Sequence, residues 1–447
     1  MGKYFGTDGI RGVANVGLTI TQAYKVGSFL ANYYSKDKKA KIVIGKDTRL
    51  SSSMFENTLS AAIAAFGGDA YQLGYTSTPC LAYVTTNEDF DCGVMISASH
   101  NPYYDNGIKV FMKSGQKLDD AIADQIEAYI DDEFEIELKS HDDIGSIYDY
   151  KEGVEHYLDW LNQSFTADLS HLNIALDLAN GSSCFTARRA FERKGAHLTV
   201  INEEPNGLNI NTNCGSTHLD SLINLVKDGD YDIGFAFDGD ADRVLAVDSE
   251  GNVVDGDKIM YVLAKYLKSY DQLKNNTLVT TVMSNIGLFK ALDRAGIDYD
   301  VVAVGDRNVV QSMAKNGHVI GGEQSGHIIC SYTGMFGDGV KTALNLLEVI
   351  CDSKQDIQAL IEDVKIYPQL LVNQKVLDKT IVLNDTKINE LIEDIAKKLG
   401  DNGRILVRPS GTEPLIRVMV EAETDEICHE EVYKVIDLIK ELGYAAN

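Results

Sequence analysis

With 447 residues, 44% of them hydrophobic and 24% charged, the chain has a globular balance and outgrows the roughly 250 to 300 residues that one core can serve, so three or four domains are expected. Its 41 Lys and Arg face 67 Asp and Glu, a net charge of −26, which argues against nucleic acid as a partner because a polyanion would be repelled. A small anionic ligand stays compatible, since salt confines surface charge to about 8 Å and a few arginines with backbone N–H groups can still hold phosphate.

Short β-rich runs at 41–45, 93–97, 173–178, 231–237, 277–282 and 405–407 alternate with segments of helical period. In 21–34 the residues Ala23, Val26, Leu30 and Tyr34 share one face, and 53–66 and 339–350 follow the same period. This alternation predicts α/β layers on mixed, mostly parallel sheets. The acidic stretch 119–149, followed by a helical 152–161, reads as a hinge after a first domain. Gly251 stands in the turn of a hairpin-like pair, 244–248 and 252–254, that closes a second, and Tyr367-Pro368 opens a smaller last domain ending in a helix over 425–442. The expected domains are 1–151, 152–252, 253–367 and 368–447. No sequence repeat is evident. No run approaches the ~18 apolar residues of a membrane span, so no membrane partner is expected. Residues 1–6 lack a signal-peptide block, and seven scattered cysteines without a C-x-x-C pair fit a reducing, cytoplasmic compartment rather than disulfides or a zinc cage.

Four loops carry chemistry. Asp238-Gly239-Asp240-Ala241-Asp242-Arg243 follows a strand, at the end where open α/β sheets bind ligands. Three carboxylates at alternate positions repel one another unless a cation joins them, and hard oxygens on a tight loop suit Mg²⁺ better than a bland acidic turn would require. Ser97-Ala98-Ser99-His100-Asn101-Pro102 also follows an apolar strand, with Lys109 close behind. It lacks the G-x-S-x-G elbow of a serine hydrolase, and His100 is badly placed as a base, whereas a phosphate-carrying serine needs only a metal and an in-line acceptor. Glu323-Gln324-Ser325-Gly326-His327 offers the directional hydrogen bonds that sugar hydroxyls need, and Arg408-Pro409-Ser410-Gly411-Thr412-Glu413-Pro414 with Arg417 reads as a phosphate cradle. Each of the last two is weak alone. Their weight comes from occurring once each in one chain.

Together these residues resemble the α-D-phosphohexomutase superfamily, and the likeness runs along essentially the whole chain. The resemblance implies three similar α/β domains around a central cleft plus a smaller fourth domain, and a phosphoryl group carried by Ser99. It implies Mg²⁺ on Ser99, Asp238, Asp240 and Asp242, with Arg243 beside them. It further implies sugar contacts from Glu323, Ser325 and His327, and a distal phosphate site at Arg408, Ser410, Gly411, Thr412 and Arg417. The opening Phe5-Gly6-Thr7-Asp8-Gly9-Ile10-Arg11-Gly12 matches a family motif that puts Arg11 near the serine, and Lys109 matches a lysine implicated in proton transfer; Lys109, Arg11 and His327 stay unranked as acid and base. Gln324, and the segment Leu208-Asn209-Ile210-Asn211 with Cys214-Gly215-Ser216-Thr217, resemble the glucosamine branch. That branch implies a glucosamine phosphate as substrate and glucosamine 1,6-bisphosphate, or another hexose bisphosphate, as primer. Glucose or mannose phosphates are the alternative, and a homodimer is implied by the resemblance alone. Asn308, where an aromatic often follows Gly-Asp-Arg, and Met335-Phe336, where Thr is frequent, depart from the pattern.

Overall fold

A computed structural model describes residues 2–6, 8–36, 38–332, 334–410 and 414–446, so Gly411 and Thr412 of the fourth loop lie outside the described residues. The chain divides into two compact units, residues 1–283 with 297–361, and residues 284–296 with 362–447.

In the first unit one four-strand pattern occurs three times. Lys41–Lys46 lies between Asp69–Tyr75 and Cys92–Ile96, parallel to both, and Asp105–Met112 runs antiparallel beside Cys92–Ile96. Asn173–Asp177 lies in the same way between His197–Ile201 and Ile233–Phe237, with Val244–Asp248 antiparallel beyond. Thr277–Thr281 lies between Asp298–Val302 and Ile320–Gly322, with Ile328–Cys330 antiparallel beyond. The strands Cys92–Ile96, Ile233–Phe237 and Thr277–Thr281 are buried along their whole length, which is why they read as continuous runs rather than alternating ones. The repeat escapes the sequence because what recurs is strand order and polarity, not residue identity.

Phe5–Gly6 and Gly9–Val13 extend the first sheet on one edge and Ile147–Asp149 on the other. A capping box at Thr19, whose side chain accepts from Gln22 N–H while Gln22 bonds back, starts helix Ile20–Tyr34. Its Val26, Phe29 and Leu30 share the first core with Leu59 and Ile63 of helix Ser52–Ala65. Gly27 lets the two helices meet: a Cβ there would lie 2.9 Å from the Leu59 carbonyl oxygen. The acidic stretch 119–149, read as a hinge after the first domain, has regular structure of its own. It holds helix Asp120–Ile130, which buries Ala123, Ile126 and Tyr129 in the first core, and the edge strand Ile147–Asp149 paired with Asp69–Tyr75. The apolar residues at helical spacing set the helix's buried face, while Asp120 and Asp124 stay exposed and the half-buried Glu127 carboxylate accepts the Tyr4 and Phe5 N–H groups.

The second unit is an antiparallel sheet in which Leu415–Glu421 lies between Gln369–Lys375 and Arg404–Pro409. Helices Thr386–Leu399 and Asp425–Glu441 share its core through Ile388, Ile395, Val432 and Ile436. Helix Ile286–Ala295 joins this unit, its first N–H donating to the Glu421 carboxylate at 3.0 Å, and Arg404 Nε meets the same carboxylate at 2.7 Å.

Candidate active site

Each fourth strand returns antiparallel after a tight connection, and three of the four loops picked from the sequence are those connections. They close at the pairs Ile96 with Ile108, Phe237 with Val244, and Gly322 with Ile328. The serine, aspartate and Glu323–His327 loops are thus topologically equivalent. Each contains a residue in the left-handed region, Ser99 (φ 53°), Ala241 (φ 57°) and Gly326 (φ 88°). For Ser99 and Ala241 that conformation costs on the order of 1 to 3 kcal/mol and persists only where surroundings enforce it.

The three loops are tied to one another. Ser99, 1% exposed, donates from Oγ to Asp238 Oδ2 at 2.6 Å and comes within a longer 3.4 Å of His100 Nδ1. Asp238, Asp240 and Asp242 are buried, with one oxygen from each lying within 4.8 Å of the others. Val244 N–H donates to the Gly326 carbonyl at 3.2 Å, and Gly339 N–H to that of Ala241 at 3.1 Å. Lys109 Nζ donates to Asp240 Oδ2 at 2.7 Å and stands 3.2 Å from Asp8 and 3.8 Å from Asp242. Asp240 also accepts from Thr78 Oγ1 at 2.5 Å. Arg243 N–H donates to Asp238 Oδ1 at 3.2 Å, and its Nε is 3.9 Å from Asp242. Arg11 pairs with Asp8, and Lys117 bridges Asp8 and Asp306. His327 Nδ1 is 3.6 Å from Asp242 and Nε2 3.8 Å from Asp306. Glu323 accepts Gly305 N–H at 2.9 Å, and Ser325 Oγ donates to Glu323 at 3.4 Å. Asp8, Lys109, Lys117, Asp242, Asp306 and His327 border one cavity of about 400 Å³.

Electrostatics follow from this crowding. Burial, Asp242 and Asp240 push the Asp238 carboxyl well above its usual value. Burial works against the Lys109 charge, but Asp240, Asp8 and Asp242 hold its ammonium above the ordinary lysine range. Burial likewise opposes His327, yet Asp242 and Asp306 raise it to about 8, whereas burial with Arg243 and Arg11 nearby lowers His100 to about 4. The oxygens Asp240 Oδ1 and Asp242 Oδ1 are buried and lack a hydrogen-bond partner among the described residues. A hard divalent cation fits that set: three converging carboxylates, two with idle oxygens, whose mutual repulsion Lys109 and Arg243 offset only in part. Arg11 Nε and Arg243 Nε are also buried without a hydrogen-bond acceptor among the described residues, as donors reserved for an anion would be.

In the second unit Arg408 and Arg417 face each other across the strand pair. Burial and the neighbouring Arg417 charge lower the Arg408 pKa, a repulsion that an anion would relieve. Ser410 is buried, its N–H donating to the Leu415 carbonyl at 2.9 Å and its own carbonyl accepting from Lys379 Nζ at 2.8 Å. Of the departures, Asn308 donates to the Ala303 and Val304 carbonyls at 3.2 and 3.0 Å, and Phe336 lines the cavity.

Sequence reasoning missed Thr78, Lys117 and Arg49, and named Asp8, Asn211 and Asp306 only inside longer segments. Asp47-Thr48-Arg49 at a strand end carried the one usable signal, an acid and a guanidinium two residues apart.

On a threefold α/β scaffold, the three equivalent connections bring a serine against a buried aspartate trio, an arrangement suited to phosphoryl transfer. Sequence profiles of the phosphoglucomutase/phosphomannomutase family match throughout: alpha/beta/alpha domain I over residues 2–137, domain II over 150–251, domain III over 255–367 and the C-terminal domain over 371–438. The chain belongs to this family. It is 51% identical over 449 residues to the phosphoglucosamine mutase of Lachnospira eligens, covering all of both chains. It is 50% identical to that of Lachnoclostridium phytofermentans, covering 99% of each. Among solved structures, a phosphoglucomutase/phosphomannomutase family protein from Burkholderia thailandensis superposes with a TM-score of 0.81 at 22% identity, over 99% of this chain and 98% of that one. N-acetylphosphoglucosamine mutase from Aspergillus fumigatus gives 0.70 at 15% identity, over 98% and 95%. These two likenesses concern the fold.

Proposed function

We propose that the protein interconverts glucosamine 6-phosphate and glucosamine 1-phosphate through a phosphoserine at Ser99. The observation that carries this reading is the 2.6 Å contact of Ser99 Oγ with Asp238 inside the buried aspartate trio, in a chain about half identical, end to end, to phosphoglucosamine mutases. Among the described residues no helix is long and apolar enough to cross a membrane, and a cytoplasmic homodimer acting on a small sugar phosphate rather than nucleic acid completes the reading. Domain limits at 151, 252 and 367 belong to it as well.

In the forward direction the sugar O1 attacks the Ser99 phosphorus, the Ser99 O–P bond breaks, and a 1,6-bisphosphate forms. The bisphosphate reverses in the site and its 6-phosphoryl returns to Ser99, releasing glucosamine 1-phosphate. A hexose 1,6-bisphosphate primes an empty Ser99. Mg²⁺ held by Asp238, Asp240, Asp242 and an oxygen on Ser99 would supply charge neutralisation for the transferring phosphoryl group. Lys109, Arg11 and His327 are the proton-handling groups: the attacking hydroxyl loses a proton to one and the Ser99 oxygen gains one from another. Arg243 adds positive charge beside the trio. Glu323 and Ser325 hold sugar hydroxyls, and Arg408, Ser410, Gly411, Thr412 and Arg417 hold the phosphate that is not reacting, which lets one site serve both orientations.

The test is a coupled assay of glucosamine 1-phosphate formation with Mg²⁺ and bisphosphate primer, beside glucose and mannose phosphates at equal concentration. Fastest turnover on glucosamine phosphate, lost with EDTA and restored by Mg²⁺, is expected. Faster turnover of glucose or mannose phosphate overturns the substrate assignment, and stoichiometric release of inorganic phosphate overturns the mutase reading. A second expectation concerns the distal phosphate site. A charge-assisted hydrogen bond contributes about 1.5 to 3 kcal/mol, so Arg417→Ala raises KM for the sugar phosphate about 10- to 150-fold. An unchanged KM removes Arg417 from the site.

A further inference from the structure

Ser99 sits in a left-handed conformation, and beyond its own N–H bond to Ser97 Oγ it is braced by two side chains outside the catalytic set. Arg49 is 1% exposed. Its Nε donates to Asp47 at 2.8 Å, Nη2 to the carbonyls of Ser99 and Asn101 at 2.7 and 2.9 Å, and Nη1 to those of Asp105, at 3.1 Å, and Pro102. Asn211 Nδ2, reaching from the segment after the second sheet's His197–Ile201, donates to the same two carbonyls, Ser99 at 2.9 Å and Asn101 at 3.1 Å. Asn211 is 7% exposed, has φ 58°, and is anchored by its N–H on the Ala179 carbonyl at 2.9 Å. Two neighbouring bonds hold the same seam: Thr48 Oγ1 to the Asn180 carbonyl at 2.7 Å and Leu50 N–H to that of Gly207 at 2.9 Å. Gly239 of the aspartate loop also lies against this point, since a Cβ there would be 2.5 Å from the Ser99 carbonyl oxygen.

We propose that Arg49 and Asn211 are positioning residues that clamp the Ser99 and Asn101 carbonyls from two sides, Arg49 setting the shape of the serine loop and Asn211 setting its register against Asp238. The division of labour follows from where each is rooted. Arg49 belongs to the sheet that carries the serine, so it travels with the loop; Asn211 belongs to the sheet that carries the aspartates, so its bonds break if the serine drifts from them. A displacement of about 1 Å at a reacting atom is enough to cost on the order of 10²-fold in rate. The inference rests on the proposed phosphoserine role of Ser99.

Asn211→Gly is the variant of choice, because glycine takes a φ near 58° without strain and only the amide is lost. Hydrogen exchange followed by mass spectrometry reads the clamp without any substrate: faster exchange is expected in the peptide spanning 97–106, where Ser99 N–H bonds Ser97 Oγ and Asn101 N–H the Ala98 carbonyl, and none in 173–177. Steady-state assay of the same preparation should show kcat down about 10- to 100-fold with KM for the sugar phosphate within about twofold, the signature of misplacement rather than lost binding. Should the glycine variant unfold, Arg49→Lys supplies the second reading: it keeps a charge for Asp47 but too few donors for four carbonyls, and the same local exchange and kcat changes are expected. Unchanged exchange, or faster exchange with kcat intact, overturns the proposal. Wild-type protein inert on every sugar phosphate overturns the functional reading instead, while the exchange result still decides whether the clamp exists.

Discussion

Ser99→Ala is expected to abolish turnover, by about 10⁴-fold or more, the scale of loss when a covalent nucleophile is removed. The substitution subtracts one oxygen from a buried side chain and leaves the backbone requirement at φ 53° unchanged, since both residues carry a Cβ. The fold therefore persists, and what disappears is the hydroxyl that donates to Asp238. Incubation with a hexose 1,6-bisphosphate separates chemistry from stability: intact-mass measurement should find one added phosphoryl group on the wild type and none on the variant. An alanine variant that still turns over near the wild-type rate, or that takes up phosphate on another side chain, would sink the assignment of the carrier.

Lys109→Met is the second large effect, and it falls on stability as well as on rate. The ammonium is 1% exposed and sits among Asp240, Asp8 and Asp242. Removing one partner of a buried ion pair costs about 3 to 5 kcal/mol, because the remaining charge stays desolvated and alone. Set against total stabilities of about 5 to 15 kcal/mol, that is a severe loss. Its pH dependence has a definite sign. Burial opposes the Asp8 charge, yet Lys109, Lys117 and Arg11 together hold its carboxyl well below the ordinary value. A depressed carboxyl contributes stability above its unfolded pKa of about 3.9 and loses it as pH falls through the folded value. The variant's deficit is therefore largest at neutral pH and shrinks in acid. Mg²⁺ should restore more stability to the variant than to the wild type, because a cation on the aspartate trio replaces part of the missing charge. Denaturant melts at pH 7, with Mg²⁺ or EDTA, and at pH 3, below the unfolded carboxyl value, would show this; a variant as stable as wild type at pH 7 contradicts the account of the buried pair.

Much of the site was legible because its chemistry is local. An apolar run followed within a few residues by Asp238, Asp240 and Asp242, or by Ser99, announces a strand end carrying ligands, and neither reading needs to know what lies opposite. The same holds for Arg408 and Arg417 on paired strands. Thr78 was illegible for the converse reason. In sequence it is the first residue of an ordinary capped helix, Thr78–Asn87, and only its bond to Asp240, 162 residues away, gives it meaning. Arg49 went unread, because the acid two residues before it does not reveal that its other partners are backbone carbonyls.

The sequence by itself determined the α/β class and where the four loops stand, since period and turn residues are written within windows of about ten residues. Tertiary structure alone decided that three of those loops are the same connection repeated on three sheets, that the acidic stretch 119–149 contains a buried helix face, and that Ser99 meets Asp238 across 139 residues and Lys109 meets Asp240 across 131. Those contacts depend on which buried faces pack together, a choice made by the whole core at once, and no short stretch of chain carries it.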